Sequence, residues 1–474
     1  MVRKSSFNPN IFRAYDIRGI YPDDLNEEVA SRTALAFAKL YPRAKTFVVS
    51  HDTRKSSPVL AKAIIDSLLD AGKDIIFLET APDPLFYFSI FYYGFDAGIM
   101  ITGSHNSSEY NGLSLHIQKA AEEKKGDVVL KDIEAIRKIV FAGKKIMPRK
   151  KRGQLKRLNP TNDYLDFISP KVKLNKPLKI LIDSGNGAMG YLPEKVFKKL
   201  GCQVKTIFGD FDGDFPNHSP DPYEAENCLI AAKEVIKGGF DLGFVYDGDG
   251  DRVGVIDSKG RLVSGDDCLL MLSRQALENH QGPIVHDMRI SGAFLDEMAE
   301  KGVKTYFSVS SHPAIIRKIK ETKAIFGGEI TLHFLFPRDY YLCDEALFAS
   351  LKLAQIASGQ KDFAGYTDSL PHYCSSPEIF IPCADERKFQ IIKKLQQYLW
   401  KNKFDFISID GARINFSDGW ALARAANTTP FIKCRFEGKT KKDLKEIESK
   451  SLAIFAKIGI PVTGEVYGEL GLKR

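Results

Sequence analysis

From residue 47 onward, short apolar runs alternate with helix-length stretches, and the runs keep ending in polar, glycine-bearing loops. This alternation commits a chain to mainly parallel sheets with helices on both faces. Phe47-Val48-Val49 reads as a strand, Ser57-Pro58 opens a helix reaching Ala71, and Ile75-Ile76-Phe77-Leu78 reads as the next strand. An aromatic helix then leads to Ala97-Gly98-Ile99-Met100-Ile101, which empties into Thr102-Gly103-Ser104-His105-Asn106. A second round runs through strand Lys179 to Ile182, a helix from Pro193, strand Val204 to Ile207 and a helix near Glu226 to Lys237. It closes on strand Leu242 to Val245, which runs into Asp247-Gly248-Asp249-Gly250-Asp251-Arg252.

A third round opens near Arg261, with a helix around Cys268 to Leu277, strand Ile284-Val285-His286, a helix over Phe294 to Met298 and the loop Gly327-Gly328-Glu329. From Leu370 the pattern changes to a strand, a long helix, short strands at Ile407 to Ile409, Ala412 to Phe416 and Trp420 to Leu422, and a final helix. At roughly 100–200 residues per domain, 474 residues suit three or four units. The expectation is an α/β chain: three consecutive α/β domains with mainly parallel mixed sheets at residues 1–150, 151–257 and 258–369, and a smaller C-terminal α+β domain at 370–474, arranged around a central cleft. In such sheets ligands bind beyond the carboxyl ends of the strands, where these polar loops fall.

Composition narrows the partners. Lys+Arg 68 against Asp+Glu 60 gives a formal charge of +8, which suits an anionic ligand. The longest basic run, Arg149-Lys150-Lys151-Arg152, has no interleaved aromatics and reads as a solvated linker, so nucleic acid is not an expected partner. Seven cysteines, an odd number with no Cys-x-x-Cys pair, argue against both a zinc site and a disulfide framework. The apolar run Leu85 to Phe95 is bounded by Asp83 and Asp96 and falls short of the ~20 residues of a membrane span. No apolar core follows the basic start of the chain, as a signal peptide requires. A cytoplasmic location, with no membrane and no obligate protein partner, is expected.

Asp247-Gly-Asp249-Gly-Asp251 sets three carboxylates at alternate positions, and the two glycines let the loop fold so that their oxygens converge. Hard oxygen ligands select Mg²⁺ over zinc. A calcium EF-hand needs Gly at its sixth position and Glu at its twelfth, where this chain has Arg252 and Ser258. The bland alternative is an acidic turn. Ser104, in a loop leaving a strand, is placed to carry a phosphoryl group or to sit in an ordinary Ser-His turn; it lacks the glycine spacing of a hydrolase nucleophile elbow. Gly185-Asn-Gly187-Ala-Met-Gly190 matches the dinucleotide pattern, with Asp210 some twenty residues on. A nicotinamide site would leave the Asp triplet unexplained, so glycines needed for close helix–strand packing are the preferred explanation. Arg424-Ala-Ala-Asn427-Thr428-Thr429-Pro430 combines a guanidinium with amide and hydroxyl donors, which fits either a phosphate grip or a turn ended by proline.

Taken in order, these segments resemble the α-D-phosphohexomutase superfamily, in particular its phosphomannomutase/phosphoglucomutase branch, over nearly the whole chain. Phe12-Arg-Ala-Tyr15-Asp-Ile-Arg18-Gly is similar to the family's opening motif, Thr102 to Asn106 to its phosphoserine loop and Asp247 to Arg252 to its metal loop. Gly328-Glu329-Ile-Thr331-Leu-His333 resembles the sugar-binding loop, Arg424 to Pro430 the phosphate-binding loop, and Phe215-Pro-Asn-His-Ser-Pro-Asp-Pro a stretch of the mannose/glucose branch. The resemblance implies exchange of hexose 1-phosphate and 6-phosphate, of mannose or glucose, through a phosphoserine at Ser104 and a bound 1,6-bisphosphate. It implies Mg²⁺ at Ser104, Asp247, Asp249 and Asp251, with glucose or mannose 1,6-bisphosphate as activator. Arg18, His105, Arg252 and His333 would surround the reacting phosphoryl group. Glu329 and Thr331 would hold sugar hydroxyls, Arg424, Asn427 and Thr428 the non-reacting phosphate, with Tyr15, Arg289 and His312 as further contacts.

Against the family pattern, Ser114 stands where a Lys is usual, Ala426 for Ser, Thr429 for Glu, Arg289 for Lys, Thr331 for Ser and Leu332 for Gly. One missing charge-assisted contact is worth ~1.5–3 kcal/mol, or one to two decades of rate. The competing readings are therefore a catalytically weak or inactive sugar-phosphate-binding relative, and a Mg²⁺-dependent phosphatase that passes its phosphate to water.

Overall fold

Strand Thr46–His51 pairs in parallel with both Asp74–Thr80 and Ala97–Ile101, so the first sequence-read round forms the centre of a sheet. The computed structural model describes residues 8–13, 16–118, 126–127, 130–142, 151–426 and 430–460. Its contacts divide the chain into two compact units, Met1–Gln275 with Thr331–Asp368, and Ala276–Ile330 with Ser369–Arg474.

In unit one the first sheet runs Ile17–Ile20, Tyr110–Ile117, Ala97–Ile101, Thr46–His51, Asp74–Thr80, Leu155–Arg157, with Gly126–Asp127 paired to Tyr110–Ile117. Tyr110–Ile117 is antiparallel to Ala97–Ile101 and to Ile17–Ile20, which makes the sheet mixed. Helices Glu27–Leu40 and Ser57–Asp70 bury Phe37, Leu60 and Ile64 against Phe47, Val49 and Ile99. The Asn26 side chain accepts the Val29 amide, satisfying one of the donors that a helix start leaves open. The aromatic run is helix Asp83–Tyr93, buried along its first eight residues and ended by Gly94 in the left-handed region. Its apolar character on all sides reflects this burial, and no described helix is long and apolar enough to cross a membrane.

The second sheet, also in unit one, runs Leu262–Val263, Val253–Asp257, Leu242–Tyr246, Lys179–Asp183, Gln203–Ile207. The last three strands are parallel, and Val253–Asp257 returns antiparallel from the acidic loop. The helix expected at Glu226 to Lys237 begins as a 3₁₀ turn, Ala225–Cys228, and becomes α-helical over Leu229–Gly238. Helix Ala346–Gly359, capped by the Glu345 carboxylate on the Phe348 amide, completes the unit.

In unit two, Ile284–His286 pairs in parallel with Thr305–Phe307 and with Phe326–Gly328. Gly327 and Gly328, expected in a loop, are strand; a Cβ on Gly327 would lie 2.8 Å from Ile319 Cδ1, so a side chain there would push that end of Ile319 aside in helix His312–Thr322. The C-terminal sheet is antiparallel throughout, with Phe431–Gly438 paired to Gly419–Ala425, Ile379–Pro382 and Cys374–Ser375. The strand expected through Ile409 stops at Ile407, because Gln396 Nε2 takes the Ser408 and Gly411 carbonyls in place of a ladder partner. Helix Lys441–Ile458 starts on a capping box between Thr440 and Asp443.

Candidate active site

Strand Ala97–Ile101 ends at the edge of the loop carrying Ser104, whose backbone lies in the left-handed region at φ 47°. A non-glycine residue in that region is held there by its surroundings. The surroundings here are a buried ion pair from the carboxyl end of the neighbouring strand. Arg54, with no exposed side-chain surface, donates from Nη2 to the carbonyls of Ser104 at 2.7 Å and Asn106 at 2.6 Å, and from Nη1 to that of Ser107 at 2.6 Å. Its Nε bonds Asp52 Oδ2 at 2.9 Å, and the same oxygen accepts the Gly103 amide at 3.0 Å. Sequence reasoning missed both residues; the one signal available was their position just beyond a strand end.

The acidic loop meets the serine loop within unit one. Ser104 Oγ donates to Asp247 Oδ2 at 3.2 Å and lies 3.3 Å from His105 Nδ1. Thr102 Oγ1 donates to Asp249 Oδ2 at 2.8 Å, while Asp247 Oδ1 accepts the Gly250 and Arg252 amides. A Cβ on Gly248 would stand 2.6 Å from the Ser104 carbonyl, so glycine permits the two loops to touch. Gly187 and Gly190 serve the same kind of close approach, to the backbones of Gly248 and Gly209. The Gly185–Gly190 motif therefore packs loop on loop, which corrects the expected helix–strand role.

Burial, and then the charge of a neighbouring Asp, pushes all three carboxyls above their ordinary range: Asp251 acts on Asp247, Asp247 on Asp249, and Asp249 on Asp251. Oδ1 of Asp249 and Oδ1 of Asp251 are buried with no hydrogen-bond partner. Oxygens of Asp249, Asp251 and Asp83 lie within 4.8 Å of one another. Buried carboxylates crowded this way, with oxygen lone pairs unengaged, fit a hard divalent cation such as Mg²⁺. Asp83, at the start of the aromatic helix, is an addition to the expected set; its Asp-Pro context after a strand was the only hint in the sequence.

Arg252 follows the triplet and donates from Nε to His333 Nε2 at 2.8 Å, while His333 Nδ1 lies 3.2 Å from Asp344 Oδ2. This fixes the imidazole with its proton on Nδ1, facing a carboxylate. Arg18 Nη1 donates to Asn106 Oδ1 at 3.2 Å, tying the opening motif to the serine loop. Ser114 is the half-buried position of the otherwise buried central part of strand Tyr110–Ile117, opposite Met100. Leu332 occupies the left-handed region at φ 73°, where a glycine would be unstrained, and keeps its side chain buried.

Unit two gathers a second cluster. Arg289 is paired with Asp287 and lies 3.8 Å from Glu329 Oε1 and 4.0 Å from Glu378 Oε1. Arg424 Nη1 lies 3.4 Å from Asp410 Oδ2, and that same oxygen accepts the Ser310 amide just before helix His312–Thr322. The loop bearing Arg289 is held by Arg413, which donates to the Met288 and Ile290 carbonyls and stacks 3.9 Å above Trp420, and by Arg435, which donates to the Arg289 carbonyl. Thr331 begins the 331–368 part of unit one. Tyr15, Asn427, Thr428 and Thr429 lie outside the described residues.

Comparison with known proteins finds one family along most of the chain. Phosphoglucomutase/phosphomannomutase alpha/beta/alpha domains I, II and III match residues 9–147, 162–260 and 264–373, and the C-terminal domain of that family matches 378–453. A phosphomannomutase/phosphoglucomutase of Pseudomonas putida is 32% identical over 93% of this chain and 94% of its own. A phosphoglucomutase of Neisseria gonorrhoeae is 31% identical over 95% and 97%. The crystal structure of a phosphoglucomutase/phosphomannomutase family protein from Burkholderia thailandensis superposes with a TM-score of 0.88 at 30% identity, covering 96% of this chain and 99% of that one.

Proposed function

The chain belongs to the phosphoglucomutase/phosphomannomutase family, and from that premise we propose that Ser104 is the phosphoryl carrier of its reaction. The activity is that of a hexose phosphate mutase, an isomerase-class phosphotransferase that interconverts hexose 1-phosphate and hexose 6-phosphate of mannose or glucose. In the proposed cycle a phosphate on Ser104 passes to the free hydroxyl of the sugar phosphate. The P–O bond to Ser104 breaks, a P–O bond to the sugar forms, and the proton of the sugar hydroxyl ends on the freed Ser104 Oγ. The resulting 1,6-bisphosphate turns over and returns its other phosphate to Ser104.

The observation that carries this reading is the contact of Ser104 Oγ with Asp247 Oδ2, in a loop whose carbonyls are fixed by Arg54. Asp247, Asp249 and Asp251 would hold Mg²⁺, which when bound supplies positive charge against the phosphoryl oxygens. The chain's own groups do the rest. Arg54 and Asp52 fix the serine loop, so no reorganisation is needed as charge shifts. Arg252, oriented by His333, and Arg18 offer donors to the equatorial oxygens of the moving phosphoryl group. His105 is in reach of Oγ to exchange its proton. Glu329 would accept sugar hydroxyls, and Arg289, His312 and Arg424, with Tyr15, Thr331, Asn427 and Thr428, would hold the rest of the sugar phosphate. The division of labour by segment, with the serine in 1–150, the metal loop in 151–257, the sugar loop in 258–369 and the phosphate grip in 370–474, belongs to the same proposal.

The test is ³¹P NMR of the protein with Mg²⁺, a trace of glucose 1,6-bisphosphate, and mannose 1-phosphate or glucose 1-phosphate. The wild type converts substrate to the 6-phosphate, and Ser104→Ala abolishes the conversion. Full activity in Ser104→Ala refutes the phosphoserine; release of inorganic phosphate by the wild type would favour the phosphatase reading.

A further inference from the structure

Strand Phe431–Gly438 alternates strictly over its first half: Ile432, Cys434 and Phe436 enter the core of the C-terminal sheet, and Lys433 and Arg435 take the other face. Arg435 on that face reaches the loop of Arg289. Lys433 is the Cα partner of Arg424 on the adjacent antiparallel strand, so the two cationic side chains leave the same face of the sheet side by side. Like charges directly opposite each other cost stability, and both residues are largely withdrawn from water, which removes the screening that would relieve them.

Asp410 lies beside Arg424, and the carboxylate that meets Lys433 is Glu378. Glu378 Oε2 accepts from Lys433 Nζ at 3.0 Å, its Oε1 lies 4.0 Å from Arg289 Nη1, and Arg424 adds to the positive field around it. Burial favours its neutral form, but the three cations hold Glu378 below its ordinary range, while burial outweighs Glu378 in keeping Lys433 below its own. Of the cluster, Lys433 has the most accessible side chain, 24% against 5% for Arg289 and 8% for Arg424. It is also the flexible member, able to swing from a carboxylate to another anion on its four-carbon stem. Ala426, beyond Arg424, offers no side-chain donor.

We propose that Lys433 is a further substrate-binding residue, which leaves Glu378 when a sugar phosphate enters and joins Arg424 in binding its non-reacting phosphate. This rests on the mutase reading in its choice of ligand, and on the geometry of unit two in its choice of residue. Lys433 holds both substrate and transition state by the same phosphate, so its loss weakens binding without slowing the bound reaction.

The experiment compares wild type, Lys433→Met, Lys433→Gln and Lys433→Arg in steady-state kinetics with glucose 1-phosphate and mannose 1-phosphate, and in calorimetric titration with inorganic phosphate. Lys433→Gln keeps a hydrogen-bond donor for Glu378 and serves if the Met variant does not fold. The expected result is a KM raised about ten- to a hundredfold, the range for one charge-assisted contact, with kcat within twofold. Phosphate affinity falls in parallel, and Lys433→Arg restores most of both. KM and phosphate affinity within twofold of wild type in the Gln variant, or a loss confined to kcat, overturns the proposal. If the wild type turns over neither sugar phosphate, the mutase reading fails, and the phosphate titration still decides the role of Lys433.

Discussion

Replacing Arg54 by Met removes the guanidinium that binds the carbonyls of Ser104, Asn106 and Ser107. It also strands Asp52, a carboxylate with no exposed side-chain surface. Asp52 keeps the amides of Gly103 and Arg54 and the Ser57 hydroxyl as donors, but loses the guanidinium paired with it. Breaking a buried pair in this way costs about 3–5 kcal/mol. At about 2.1 cal/mol/K of unfolding entropy per residue, a unit of this size shifts by about 1.5 °C per kcal/mol, so differential scanning calorimetry of Arg54→Met should show the melting temperature lowered by about 5–8 °C. The double variant Asp52→Asn/Arg54→Met leaves no unpaired charge and should recover more than half of that loss. The serine loop shifts in either case, and a displacement of 1 Å at a reacting group costs about a hundredfold in rate, so kcat stays low even where stability returns. A shift below about 3 °C in Arg54→Met, or a double variant as unstable as the sum of the singles, would refute the account of Arg54 as the clamp of this loop.

Three further outcomes follow from the same reasoning. Ser114→Lys puts a cation at the half-buried position opposite Met100; kcat/KM should rise by about one to two decades, and an unchanged value removes the missing cation as a limit on rate. Asp249→Asn relieves repulsion among the buried carboxyls, so its melting temperature without metal should exceed that of the wild type. Mg²⁺ at a hundred times its Kd should stabilise the wild type by about 2.7 kcal/mol and the variant hardly at all; equal Mg²⁺ stabilisation of both would count against the site. Glu345, bonded by the Tyr164 hydroxyl, has its carboxyl pushed up to about 8 by burial. A raised acid favours the folded state while protonated, so its contribution is full below about pH 4.3 and drains by about 1.4 kcal/mol per pH unit up to its folded value. Between pH 6 and 8 the stability of Glu345→Gln should therefore gain on wild type by about 2–3 kcal/mol, and parallel melting curves across that range would exclude the raised carboxyl.

The parallel cores were legible because their strands are buried on both faces, so Ile180 to Ile182 and Leu242 to Val245 appear as short apolar runs with turn residues at each end. Antiparallel Tyr110–Ile117 carries Asn111, Ser114 and His116 among its apolar residues and breaks that pattern, although only Tyr110 and Ser114 escape full burial. Gly327 and Gly328 looked like loop because glycine usually punctuates a chain; here they lie in a strand under helix His312–Thr322, where a Cβ on Gly327 would crowd Ile319. The Gly185–Gly190 motif misled in the same way, since the sequence records that a Cβ is absent and leaves open what approaches in its place. The division of contacts into two units had no sequence signal, because Thr331–Asp368 joins residues far from it along the chain.

Motif residues and the residues that hold them differ in how sequence displays them. Ser104, Asp247 and Arg252 sit in loops whose spacing is itself the signal, because convergence of oxygens on one point demands particular residues at particular intervals. Asp52, Arg54, Arg413, Glu378 and Lys433 carry no such spacing. In the sequence each is an ordinary charge, and most charges lie on the surface. Once buried, each must be answered by a partner distant in the chain: Arg54 by carbonyls some fifty residues away, Arg413 by carbonyls more than a hundred away, Lys433 by Glu378. A reading by motif thus finds the atoms proposed to react and misses those that fix their positions. The division bears on rate: a serine at φ 47° does not hold that conformation unaided, so if Ser104 carries the phosphoryl group as proposed, the charges that hold its loop bear on the transfer too.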